Sequence, residues 1–81
     1  MRELLIKLDS LTDVQDFVRA ASLQHFSIEV VHGEDRIDAK SFMGLFSLDL
    51  REPIRLAVDG EESEVAAFYR AISPMLLSGQ N

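Results

Sequence analysis

Apolar and polar positions change period along this chain in a way that divides it into alternating strand and helix segments. Leu4, Leu5, Ile6 and Leu8 make Glu3 to Leu8 a nearly continuous apolar run, which reads as a first strand. Asp9-Ser10-Leu11-Thr12-Asp13 supplies turn and cap residues, and Thr12 with Gln15 three positions later reads as a capping box that starts a helix at Asp13. Val14, Phe17, Val18 and Ala21 then recur at helical spacing on one face, with Gln15, Asp16 and Arg19 on the other. From Phe26 to His32 the period falls to two, with Phe26, Ile28, Val30 and His32 on one side and Ser27, Glu29 and Val31 opposite. Gly33-Glu34-Asp35 turns the chain and Arg36-Ile37-Asp38 returns it, a hairpin.

Between Ile37 and Leu48 the pattern is neither strand nor ordinary amphipathic helix. Ser41 is placed to cap a short helix, and Phe42, Met43, Leu45 and Phe46 follow within about one turn. At 3.6 residues per turn those four cannot share one core, so some apolar surface is expected to stay exposed. Pro53 closes the following Asp49 to Pro53 connection and opens a strand in which Ile54, Leu56 and Val58 alternate with Arg55, Ala57 and Asp59. Gly60 to Glu64 is an acidic turn into a last helix, whose early carboxylates suit the positive end of its dipole. Its stripe is Val65, Phe68, Tyr69, Ile72 and Leu76; Pro74 is expected to kink or end it and leave Leu77 to Asn81 frayed. The order is β-α-β-β-α-β-α, an α+β fold in which helices cover one face of an antiparallel sheet, a two-layer open-faced β-sandwich.

Length and charge narrow the function. Residues 1–81 make one domain, and a chain this short needs a compact two-layer arrangement. With 47% hydrophobic residues the core can be filled. No cysteine is present, so disulfides and thiolate metal sites are excluded, a composition that fits a cytoplasmic location. Neither a signal peptide nor a membrane span can be read in the sequence. The net charge of −6, from 14 acidic and 8 basic residues, argues against nucleic-acid binding, which needs clustered Lys and Arg.

One stretch resembles a known signature. Lys40-Ser41-Phe42-Met43-Gly44-Leu45-Phe46-Ser47-Leu48 is similar to the sequence around the regulatory serine of HPr, the histidine-containing phosphocarrier of the bacterial sugar phosphotransferase system. Phe17-Val18-Arg19-Ala20-Ala21-Ser22 resembles the second half of that family's first helix, and the later elements follow in the family's order. The resemblance implies the HPr-like open-faced sandwich, with four antiparallel strands. It also implies that Ser41 is a site for an ATP-dependent kinase, whose product in relatives binds a transcriptional repressor of catabolite genes. Phe42, Met43 and Phe46 match the apolar patch by which relatives dock on protein partners.

The resemblance breaks at the phosphocarrier site. In HPr a histidine just before the first helix carries the phosphoryl group, followed two residues on by arginine and then proline. Aligned through Phe17 to Ser22, those positions hold Ser10, Thr12 and Asp13. Serine has no nitrogen to form a phosphoramidate, no guanidinium balances the charge, and a carboxylate stands where a phosphate would sit. His25 and His32 fall elsewhere in the pattern and read as ordinary histidines. A second departure is the Asp49 to Pro53 connection, where HPr proteins usually have a longer, glycine-containing loop.

No other chemistry emerges from the residues. Glu61, Glu62 and Glu64 lack the ligand spacing of a cation loop and read as a helix start, and neither a nucleotide loop nor a nucleophile with a base is present. The expectation is an HPr-like regulatory or protein-interaction module, not an enzyme, with no metal or cofactor. It would work as a monomer or weak homodimer, with partners meeting the Ser41 to Phe46 face. Two alternatives stay open: an atypical phosphocarrier, and an unrelated small α/β binding domain that shares only the architecture.

Overall fold

The computed structural model describes residues 2–77. Its elements are β1 (Arg2–Ile6), α1 (Leu11–Ser22), β2 (Ser27–His32), β3 (Asp35–Asp38), α2 (Phe42–Phe46), β4 (Ile54–Asp59) and α3 (Glu62–Ala71), then a 3-10 turn at Ser73–Met75. The strands form one four-stranded sheet in the order β1-β4-β2-β3, with every neighbouring pair antiparallel. The hairpin closes through Gly33, whose φ of 63° is open to glycine without steric cost.

Register follows from the alternation. Leu4 lies opposite Leu56, Leu56 opposite Val30, and Val30 opposite Ile37, a single apolar row across all four strands. Beneath it the helices contribute Val14, Phe17 and Ala21 from α1 and Val65 and Phe68 from α3, all buried. The Phe68 ring meets Phe17 at 6.3 Å and Phe26 edge-on at 6.2 Å, so aromatic packing joins both helices to the start of β2. Among the described residues no polar or charged side chain is buried.

Several expectations need correction at element ends. The first strand ends at Ile6, two residues short of Leu8, because the chain leaves the sheet there to enter α1. That helix begins at Leu11, earlier than Asp13, and its cap is Ser10, whose Oγ accepts from the Asp13 N–H at 3.1 Å. The Asp13 carboxylate accepts from the Asp9 N–H at 2.9 Å, so in place of a box between Thr12 and Gln15 the first turn is held by the Ser10 cap and by Asp13 reaching back past it to Asp9. At the second strand Phe26 is buried but precedes the ladder, and His32, on the side of Ile28 and Val30 by alternation, is exposed at the strand's end.

The C-terminal correction is larger. The last helix stops at Ala71, and Leu76, expected on its apolar stripe, is extended and bridges Ile6 in antiparallel fashion. Pro74 lies in the 3-10 turn that reverses the chain. Lys7 N–H donates to Met75 O at 2.9 Å and Leu77 N–H donates to Leu5 O at 3.2 Å. Leu77, expected to fray, is therefore tied to the outer edge of β1; the rest of that expectation lies outside the described residues.

Candidate functional site

The loop from β3 into α2 is built by local hydrogen bonds. Asp38 accepts from the Lys40 N–H through Oδ1 at 2.9 Å and from the Ser41 N–H through its carbonyl at 3.0 Å. Ser41, in extended conformation at φ −99° and ψ 105°, caps α2 by accepting from the Gly44 N–H at 3.2 Å. A side chain at Gly44 would be crowded, since a Cβ would stand 2.8 Å from Ile37 Cγ2 and 3.2 Å from the Ser41 hydroxyl. The Lys40 ammonium donates to Gln24 O at 2.8 Å, tying the approach to α2 to the loop after α1. Ser41 is half-buried.

Of the apolar residues of α2, Leu45 alone is fully buried. Phe42 is half-buried, packs on the core and meets Phe46 edge-on at 4.7 Å. It also closes an open depression with Gln15, Val18 and Arg19 of α1. Met43 is 77% exposed and Phe46 50%, so the geometry leaves outside the apolar surface that the crowded pattern demands. The expected face is thus partly split, with Met43 and Phe46 presented outward and Phe42 supporting them from within.

At the start of α1, Ser10 is exposed and engaged as the helix cap. It borders a cleft of about 300 Å³ whose lining includes Lys7, Asp9, Leu50 and Arg51. Lys7 Nζ donates to Asp9 Oδ1 at 2.9 Å and to Leu50 O at 3.0 Å. Arg51 forms a fork on Asp49, with Nε and one terminal nitrogen each 3.0 Å from a carboxylate oxygen, and its backbone N–H adds a third bond. Those side-chain hydrogen bonds first, and the backbone one second, hold the Asp49 carboxyl down to about 2, and the same pairing raises Arg51.

Sequence reasoning did not bring Lys7 and Arg51 to Ser10. The Lys7 to Leu50 bond joins positions 43 residues apart, and no local pattern announces such a contact. Neither histidine lines this cleft. His25 Nε2 lies 2.6 Å from Glu64 at the start of α3, and His32 borders a separate cleft with Asp49 and Glu52. Glu64 also accepts from the Glu61 N–H at 3.3 Å, the helix-start role expected of the acidic run. No group of three metal-ligating side chains is assembled among the described residues, and none of their helices is long and apolar enough to cross a membrane.

A scan against protein-family models finds no match, and neither does a search of the curated proteins. The search of solved structures does: the crystal structure of HPr-C-His from Thermoanaerobacter tengcongensis matches with a TM-score of 0.72. The two are 24% identical, over 94% of this chain and 91% of that one. This likeness establishes the fold as the HPr-like open-faced sandwich, the architecture expected from the order of elements.

Proposed function

We propose that this chain is an HPr-like regulatory or protein-interaction module, related to the phosphoenolpyruvate-dependent sugar phosphotransferase system, which no longer carries phosphoryl groups. The observation that carries the reading is the exposure of Met43 and Phe46 on a short helix capped by Ser41. A polarizable thioether beside an aromatic edge gives a partner an adaptable apolar contact. Phosphorylation of Ser41 would set a dianion beside that contact, which makes Ser41 the switch and Phe42, Met43 and Phe46 the docking residues. Loss of carrier activity follows from Ser10, which offers a hydroxyl already used as a cap, with Asp9 and Asp13 bonded to each other beside it.

An atypical phosphocarrier is favoured by one observation, the presence of Lys7 and Arg51 around the Ser10 cleft. Against it, both cations already have carboxylate partners. Two labelling reactions separate the readings. With phosphoenolpyruvate and enzyme I, no label is expected on any residue; with ATP and HPr kinase, mass spectrometry should find phosphate on Ser41 and none on the Ser41→Ala variant. Label from phosphoenolpyruvate would overturn the reading in favour of a carrier, and an unlabelled Ser41 would remove the switch.

A further inference from the structure

The face of the sheet turned away from the helices carries its charge in rows. Register sets Glu3, Ala57, Glu29 and Asp38 side by side across the four strands, and the next outward row is Leu5, Arg55, Val31 and Arg36. The first row is acidic and the second basic, about 7 Å away along the strands. Ala57 is the smallest side chain of its row and is buried, so Glu3 and Glu29 flank a covered position on the acidic row. Arg55 is exposed, and among the described residues its guanidinium has no hydrogen-bond or ion-pair partner.

A two-fold axis lying in this face, parallel to the rows and midway between them, superposes each acidic row on the basic row of a second copy. We propose that the open sheet face is a self-recognition surface, on which two copies of this chain dock face to face with Arg55 of each set against the acidic row of the other, between Glu3 and Glu29. The same operation sets Asp38 against Arg36, so each attractive pair occurs twice, as an isologous interface requires. Edge pairing is the weaker route. The β3 edge is four residues long and carries Asp35, Arg36 and Asp38, and part of the β1 edge is occupied by Leu76 and Leu77.

The dimer is weak by construction. Strand spacing and rise give the face roughly 400 Å², about half of what a standard interface buries on each side. Arg36 already bonds Glu29 at 2.6 Å within the monomer, and the chain's net charge of −6 opposes association at long range. Added salt screens the local pairs and the overall repulsion together, so charge reversal is the cleaner test.

Sedimentation equilibrium over a concentration series up to about 1 mM, the affinity scale of weak complexes, should show the wild-type chain self-associating. Arg55→Glu alone and the Glu3→Arg, Glu29→Arg double variant alone should each lose that association at least tenfold, with folding checked by circular dichroism. An equimolar mixture of the two should recover a heterodimer. A monomeric wild type, self-association unchanged by Arg55→Glu, or a mixture that stays monomeric would overturn the proposal. So would a dimer lost in Met43→Ser, Phe46→Ser but kept in Arg55→Glu, which would place the contact on α2.

Discussion

Ser41 and Gly44 act as one unit, because the hydroxyl of the first caps the N–H of the second at 3.2 Å. Ser41→Ala removes that bond and should lower stability by about 1 kcal/mol, read as a shift in the urea midpoint without a change in slope. Gly44→Ala sets a methyl against Ile37 and the Ser41 hydroxyl, so it should destabilise although alanine is the better helix former. A midpoint equal to or above wild type would show that Ile37 yields. Asp49 supplies a prediction in pH. Its folded carboxyl is held at about 2, below the ordinary 3.8, so the paired form favours the folded state above about pH 4. That contribution disappears as pH falls from 4 through 2. An NMR titration of the Asp49 carboxyl carbon should give the depressed midpoint, and Arg51→Ala should return it toward the ordinary value.

The helices and strands meet through their ends as much as through their faces. In α1, the Ser10 hydroxyl accepts from the Asp13 N–H and the Asp13 carboxylate accepts from the Asp9 N–H, and Ser10→Ala should cost about 1 kcal/mol while leaving the sheet intact. At the other end of the chain, deletion of the residues after Met75 would free the Leu5 carbonyl from Leu77 and remove the Leu76 bridge. Hydrogen exchange should then rise in β1 and be little changed in the β2 and β3 hairpin, which lies across the sheet from the deletion. For α2, Leu45 anchors five residues that are too few to persist as a helix alone, so Leu45→Ala should loosen the whole segment with its exposed Met43 and Phe46. Met43→Ser should stay within about 0.5 kcal/mol of wild type, because its side chain stands outside the core.

At the scale of the molecule, a chain of 81 residues has a total stability of about 4 to 12 kcal/mol, and Phe17→Ala or Phe68→Ala is expected to remove about 3 to 5 of it. Either substitution should therefore bring the protein close to unfolding at room temperature. The sequence by itself determined the order of elements, the apolar face of each strand and the surplus of apolar residues from Phe42 to Phe46 that one core cannot take up. Periodicity decides these locally, since a residue's face is set by its neighbours two, three or four positions away. It also named Ser41 as a cap. Helix starts and stops were less legible, because Ser10 and Thr12 are both capable caps and only the path out of β1 selects one. The meeting of Leu50 and Arg51 with Lys7, the docking of Leu77 on β1, and the rows of opposite charge on the open face came from tertiary structure alone. Each depends on strand register or on contacts between distant segments, and these are chosen by the packing of the whole core.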